Sequence, residues 1–261
     1  MGASPLKGKR IVITKCAREN DAIKTALIEA GAEVLHIPLI EVNALDNPDR
    51  LMEVFRGIAT YDWIAFTSVN GVHYFFEAFF RAFKDIRSFG PARIACVGQT
   101  TASEVSALHF EVDLVPEEAT GMELAEALIE TGSLPSGYVL WVSGDKVNEP
   151  AVKLLEGKGE AIVDVFPVYE SHLRQLGKDP VAEDFRKHGA DAIFFASPSA
   201  VESFVQQAEQ LKRSGKASVP KAVSIGSTTS EAMRKMKVPV DRECKSPEAA
   251  DVVAAFADLL G

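Results

Sequence analysis

Ile37-Pro38-Leu39-Ile40-Glu41 and Phe166-Pro167-Val168-Tyr169-Glu170 lie 129 positions apart and read as two copies of one stretch. Each follows a helical pattern, a glycine (Gly31, Gly159) and an apolar run. The correspondence continues downstream, where Asp62-Trp63-Ile64-Ala65-Phe66-Thr67-Ser68 matches Asp191-Ala192-Ile193-Phe194-Phe195-Ala196-Ser197. Pro91 matches Pro220. With a slip of one residue, Gly98-Gln99-Thr100-Thr101 matches Gly226-Ser227-Thr228-Thr229. The chain therefore reads as one α/β unit written twice. The symmetry breaks where Ile40 of the first copy becomes Tyr169 of the second, and that break marks the candidate active site.

Short apolar runs predict buried parallel strands at residues 9–14, 33–38, 63–67, 93–97, 112–115, 138–142, 161–166, 192–196, 222–225 and 238–241. Helical spacing predicts helices at 22–30, 49–58, 73–84, 101–108, 121–130, 150–157, 181–187, 201–211, 229–236 and 247–259. In the third of these, Phe75, Phe76, Phe79, Phe80 and Phe83 form a wide stripe that reads as core. Strands alternating with helices imply right-handed βαβ units and parallel sheets covered on both faces. The repeat by itself allows two arrangements: consecutive halves, or domains that exchange their first βα units.

The chain of 261 residues is long enough for two domains with separate cores. Its 47% hydrophobic and 25% charged content is that of a globular protein. A formal net charge of −9 argues against a nucleic-acid or anionic-membrane partner, which would need a basic face. It does not argue against a small anion held by local donors. The three cysteines, Cys16, Cys96 and Cys244, form no disulfide framework, and Cys96 reads as core. No apolar run has spanning length and the first nine residues are not a signal peptide. The expected location is the cytoplasm; a plastid or mitochondrial protein freed of its transit peptide would read the same way.

The strand ends are rich in hydroxyls, glycines and amides: Thr67-Ser68-Val69-Asn70-Gly71, Gly98-Gln99-Thr100-Thr101, Ser143-Gly144-Asp145, Ser197-Pro198-Ser199 and Gly226-Ser227-Thr228-Thr229. In a parallel sheet these lie at the carboxyl edge, where ligands of open α/β sheets bind. Each leads into a helix, whose first-turn N–H groups and dipole suit a carboxylate or phosphate. Thr101-x-x-Glu104, Thr228-x-x-Glu231, Ser199-x-x-Glu202 and Thr120-x-x-Glu123 also have capping-box form, which alone would account for each of them. There is no Gly-x-Gly-x-x-Gly, no phosphate-binding P-loop and no Gly-x-Ser-x-Gly elbow. The five histidines and three cysteines lack metal-ligand spacing. Of the histidines only His172 lies close to Tyr169, and it reads as a solvated linker residue.

Taken together, Phe66-Thr67-Ser68-Val69-Asn70-Gly71-Val72, Val97-Gly98-Gln99-Thr100-Thr101-Ala102, Phe166-Pro167-Val168-Tyr169, Phe195-Ala196-Ser197-Pro198-Ser199-Ala200-Val201 and Ser224-Ile225-Gly226-Ser227-Thr228-Thr229 resemble the uroporphyrinogen-III synthase family. No one segment is specific; their order, spacing and repetition are. The resemblance implies two flavodoxin-like domains joined by a two-stranded linker with a cleft between them, and it selects the exchanged arrangement. One domain would comprise residues 1–37 and 171–261, the other 42–166, with 38–41 and 167–170 as linker strands.

The reaction implied is cyclisation of hydroxymethylbilane to uroporphyrinogen III, with loss of water and inversion of ring D through a spiro intermediate. It uses no metal and no organic cofactor. The substrate carries an acetate and a propionate on every ring. The implied substrate-binding residues are Lys15, Thr67, Ser68, Asn70, Gly98, Thr100, Thr101, Ser143, Gly144, Lys146, Ser197, Ser199, Gly226, Thr228 and Thr229. Tyr169 matches the family's linker tyrosine, the candidate acid for the departing hydroxyl; the plainer alternative is an aromatic that packs the cleft wall. Many members carry arginine where this chain has Lys15, Ser143 and Asn148, so a bidentate carboxylate grip gives way to a point charge at Lys15, with Lys146 nearby. The resemblance further implies a monomer that takes its substrate from hydroxymethylbilane synthase. The rival class is a two-domain binding or regulatory protein that closes on a small anion without turnover.

Overall fold

Apolar runs bounded by glycine and polar turns set the strands, and amphipathic stretches between them set the helices. A computed structural model describes residues 4–14, 22–45 and 47–261. In chain order the elements are β1 (Arg10–Ile13), α1 (Ala22–Glu29), β2 (Glu33–His36), β3 (Ile40–Ala44), α2 (Pro48–Arg56), β4 (Trp63–Phe66), α3 (Val69–Ala82), β5 (Arg93–Cys96), α4 (Gln99–Ala107), α5 (Gly121–Glu130), β6 (Tyr138–Gly144), α6 (Glu149–Gly157), β7 (Ile162–Leu173), α7 (Pro180–His188), β8 (Ala192–Phe195), α8 (Pro198–Gln206), β9 (Lys221–Ser224), α9 (Ser227–Lys235), β10 (Arg242–Glu243) and α10 (Ala249–Leu260). The chain divides into two units, one of Met1–Glu41 with His172–Gly261 and one of Val42–Ser171.

The continuous unit holds a sheet in the order β3-β7-β6-β4-β5, in which β7, β6, β4 and β5 pair in parallel. Both faces are covered, as near-continuous apolar strands require. Ile64, Phe66, Ile94, Cys96, Leu140 and Val142 point to one side, against Phe55 of α2 and Phe75, Phe76 and Phe79 of α3. Trp63, Ala65, Ala95, Val139 and Trp141 point to the other, against Leu124 and Leu128 of α5 and Leu155 of α6. The phenylalanine stripe is thus core, except that Phe80 is 46% exposed. Each such buried side chain stabilises the fold by roughly 1.5–3 kcal/mol.

The discontinuous unit holds a sheet in the order β10-β9-β8-β1-β2, in which all neighbouring strands pair in parallel. Val12, Leu35, Ile193, Phe195 and Ala222 face Phe185 of α7, Val201 of α8 and Met233 of α9. Ile11, Ile13, Ala192, Phe194 and Val223 face Leu27 of α1 and Val252 and Phe256 of α10.

The two units use the same aspartate clamps. Asp62 accepts the backbone N–H of Tyr138 at 2.8 Å, and Asp191 accepts that of Arg10 at 2.7 Å. Asp113 accepts that of Ile94 at 2.8 Å, and Asp241 that of Ala222 at 2.7 Å. In each case the carboxylate satisfies a donor at the start of a strand, one that would cost free energy if left unpaired.

Some boundaries differ from the sequence reading. Residues 112–115 make a single bridge, Ala95 to Leu114, instead of a strand. The expected strand at 238–241 is displaced to β10, beyond Asp241, whose side chain and N–H are bound to Ala222. The expected strand at 161–166 continues as β7 to Leu173. Pro167, which can donate no ladder bond, is accommodated beside an irregularity in β6.

Candidate active site

At the end of β6 the pairing with β7 slips. Ser143 stands opposite Pro167, and Gly144 stands opposite Tyr169. The slip re-aims the end of β6 and the middle of β7, as bulges do. It lays the Tyr169 ring against the Gly144 backbone, where a side chain of any size would collide with it. The Asp145 N–H donates to the Tyr169 carbonyl at 2.8 Å, and the Ser171 N–H donates to Asp145 Oδ1 at 3.2 Å. The backbone at and just after the tyrosine is therefore fixed.

The other wall comes from the start of α3. Ser68 is its N-cap, with extended backbone (φ −166°, ψ 159°), and its Oγ accepts the Gly71 N–H at 2.9 Å. That same oxygen lies 3.0 Å from the Tyr169 hydroxyl. Tyr74, one turn along α3, stacks on the Tyr169 ring with centroids 6.0 Å apart and planes inclined by 28°, and its hydroxyl donates to the Val42 carbonyl at 2.8 Å. All these residues belong to the continuous unit. The arrangement presents a half-buried phenol, held on three sides, beside the positive end of a helix.

The remaining sequence-derived site residues take different positions. Thr67 Oγ1 donates to the Val142 carbonyl at 3.0 Å, and buried Ser143 Oγ donates to the Gly144 carbonyl at 3.0 Å, so both protons are committed to the backbone. Asn70 lies in the first turn of α3, and Lys146 is exposed after β6. Asn148 caps α6 by accepting the Ala151 N–H at 3.3 Å. Lys15 and Cys16 fall outside the described residues. In the discontinuous unit Ser197 caps α8 with the backbone angles of Ser68; its Oγ accepts the Ala200 N–H at 3.2 Å and lies 3.0 Å from Ser199 Oγ.

Three of the four capping boxes are corrected. Thr120 is an N-cap whose Oγ1 accepts the Glu123 N–H at 3.1 Å. Thr101, Ser199 and Thr228 instead lie inside their helices, because Gly98, Ser197 and Gly226 already begin α4, α8 and α9. Gly98 and Gly226 bring no side-chain cap, so their first-turn donors are left to other partners. Thr101 and Thr229 are buried, whereas Thr100 and Thr228 are exposed. Both glycines have extended backbone that any residue adopts. At Gly98 a Cβ would meet the Ala119 Cβ at 2.8 Å, which explains the glycine by packing. At Gly226 a Cβ would meet nothing within 4 Å, so the protein's own packing does not explain it.

Tyr74 and the Gly71 N–H are the parts of the site that sequence reasoning missed; Tyr74 was hidden within an aromatic helix. A second phenol, Tyr61, donates its proton to a carboxylate of the protein. Burial and its hydrogen bond to Asp164 Oδ2, at 2.5 Å, push its pKa well above the ordinary range, and Arg50 holds the other oxygen of Asp164. Among the described residues no cluster of three or more His, Cys, Asp or Glu side chains is placed to hold a metal ion, and no helix is long and apolar enough to cross a membrane.

The family model described as uroporphyrinogen-III synthase HemD matches residues 21–254. The uroporphyrinogen-III synthase of Synechococcus elongatus is 29% identical over 218 residues, 79% of this chain and 77% of that one. The porphyrin biosynthesis protein HemD of Ruminiclostridium josui is 26% identical over 231 residues. That match takes in 88% of this chain but only 45% of the longer relative. In fold, a uroporphyrinogen III synthase mutant from Thermus thermophilus superposes with a TM-score of 0.64 at 18% identity, over 97% of this chain and 99% of that one. On the match of its family model across most of its length, this chain belongs to the uroporphyrinogen-III synthase family.

Proposed function

We propose that this chain cyclises hydroxymethylbilane to uroporphyrinogen III, with loss of water and inversion of ring D through a spiro intermediate. The family match over residues 21–254 carries the reading. The Tyr169 hydroxyl, held beside the N-terminus of α3, supports it by supplying a positioned acid for the departing hydroxyl. The uncatalysed ring closure proceeds without inversion, so the protein's main task is to hold one geometry of a flexible chain. Substrate carboxylates are taken by backbone donors at the starts of α4 and α9, where Gly98 and Gly226 leave the first turn without a side-chain cap. Exposed Thr100, Thr228 and Lys146 add side-chain donors, and Lys15, Asn70, Ser197 and Ser199 complete the proposed set.

In this reading the two units are copies of one α/β element whose first βα units are exchanged. Residues 1–37 and 171–261 form one domain and 42–166 the other, with 38–41 and 167–170 as links. The matching clamps support it: Asp191 of the second copy holds the first copy's β1, and Asp62 of the first copy holds the second copy's β6. The protein acts as a cytoplasmic monomer supplied by hydroxymethylbilane synthase. Expression in a bacterium lacking its own uroporphyrinogen-III synthase tests the activity. Restored haem-dependent growth is expected; absence of growth despite soluble protein would overturn the proposal.

A further inference from the structure

Resting on that reading, we infer that Ser68 is a positioning residue that aims the Tyr169 proton at the substrate, instead of a donor to substrate carboxylates. A hydroxyl has one proton and two acceptor sites. Ser68 Oγ already accepts the Gly71 N–H at 2.9 Å and lies 3.0 Å from Tyr169 Oη. If Tyr169 donated to Ser68, the phenolic proton would be tied to the protein. If Ser68 donates to Tyr169, the proton is left for the ligand, and an acid role requires this second arrangement. The chain then runs from the Gly71 N–H to Ser68 Oγ, from the Ser68 proton to Tyr169 Oη, and from the Tyr169 proton to the leaving oxygen. Successive hydrogen bonds of this kind polarise one another, and the N-terminus of α3 stands at the head of the chain.

The Tyr169 proton passes to the substrate hydroxyl, the carbon–oxygen bond breaks with its electron pair leaving on water, and the pyrrole nitrogen lone pair forms the azafulvenium cation. Ser68 O–H remains on the phenolate oxygen. The phenolate regains a proton when the pyrrole system releases one after ring closure. Gly144 and Tyr74 hold the ring plane during this exchange. Ser197 shows which part is scaffold: its backbone angles are those of Ser68, yet its hydroxyl lies against Ser199.

The test is a double-mutant cycle. Ser68→Ala is expected to lower kcat about tenfold with KM nearly unchanged, as loss of an aid to one general acid would give. In a Tyr169→Phe background it should cost nothing more, and Ser68→Thr, which keeps the hydroxyl, should stay near wild type. Thr120→Ala, which removes a helix cap elsewhere in the same unit, should lower the thermal midpoint and leave kcat intact. With carbon-13 at tyrosine Cζ, Ser68→Ala should move the Tyr169 resonance and Thr120→Ala should not. Type III product with additive losses, with a loss confined to KM, or with an unmoved Tyr169 resonance overturns the role of Ser68 alone. A wild type that yields no type III product overturns the proposed function, and with it any acid for Ser68 to serve.

Discussion

A Cβ added to Gly144 would stand 2.6 Å from Cζ of Tyr169 and 3.0 Å from its hydroxyl oxygen. The glycine is there to admit the ring. Gly144→Ala should therefore destabilise the protein by about 1–3 kcal/mol, the usual cost of overpacking, and slow type III formation by about a hundredfold through displacement of the phenol. Urea unfolding should show the stability cost disappearing in Gly144→Ala/Tyr169→Ala, where the obstructing ring is gone. A cost that persists in the double variant would assign the glycine to something other than the tyrosine.

Tyr169→Phe removes one hydrogen bond, and Ser68 Oγ keeps its bond from Gly71. The stability loss should be about 1 kcal/mol or less. The rate should fall by roughly one to two orders of magnitude, as for removal of a general acid among many positioning contacts. Tyr169→Ile copies the residue of the first repeat and also discards the stack on Tyr74, so it should be slower still. Rates and thermal midpoints of both variants check this; a Tyr169→Phe enzyme at full rate would leave the phenol a packing role only.

Gly226 offers the complementary case. Its backbone is extended and a Cβ there meets nothing, so Gly226→Ala should leave stability unchanged or raise it by a few tenths of a kcal/mol to about 1 kcal/mol. If the space beside α9 receives a substrate carboxylate, KM should rise about tenfold for about 1.4 kcal/mol of lost binding. Thr228→Ala should leave the thermal midpoint unchanged, because Gly226 and not Thr228 is the cap. An unaltered KM in Gly226→Ala would remove α9 from the binding surface.

Much of the fold was legible because its strands are buried on both faces. Ile11-Val12-Ile13 is apolar throughout, and its residues alternate between two cores. Helix starts were harder to read. Gly98 and Gly226 resemble loop glycines, while the Thr-x-x-Glu patterns just beyond them imitate caps; only Thr120 uses its pattern. The sequence reads β7 as two pieces, a strand at 161–166 and a linker strand at 167–170, whereas the chain runs as one strand from Ile162 to Leu173 past an irregularity in β6. Tyr169 stood out through the broken repeat. Its pairing with Ser68, across 101 positions, did not, since it depends on that irregularity and on where α3 begins.

Both described cysteines are core residues. Burial pushes the Cys96 thiol up to about 12, and burial with Asp251 nearby pushes Cys244 up to about 11, from an ordinary value of 9.0. The folded state thus favours the neutral thiols. Their contribution is complete below pH 9 and is lost as pH rises towards 11 and 12, by up to about 1.4 kcal/mol per pH unit for each group. Urea midpoints at pH 8 and pH 10 should fall further for the wild type than for Cys96→Ala/Cys244→Ala. Equal falls would contradict the assignment.

On the proposed function, this chain directs ring closure with inversion. The most direct measurement is the isomer composition formed when the purified protein is given freshly generated hydroxymethylbilane, with the products oxidised and separated. Predominantly type III product, formed faster than in the spontaneous reaction, is expected. Type I product alone, at the rate seen without protein, would contradict it.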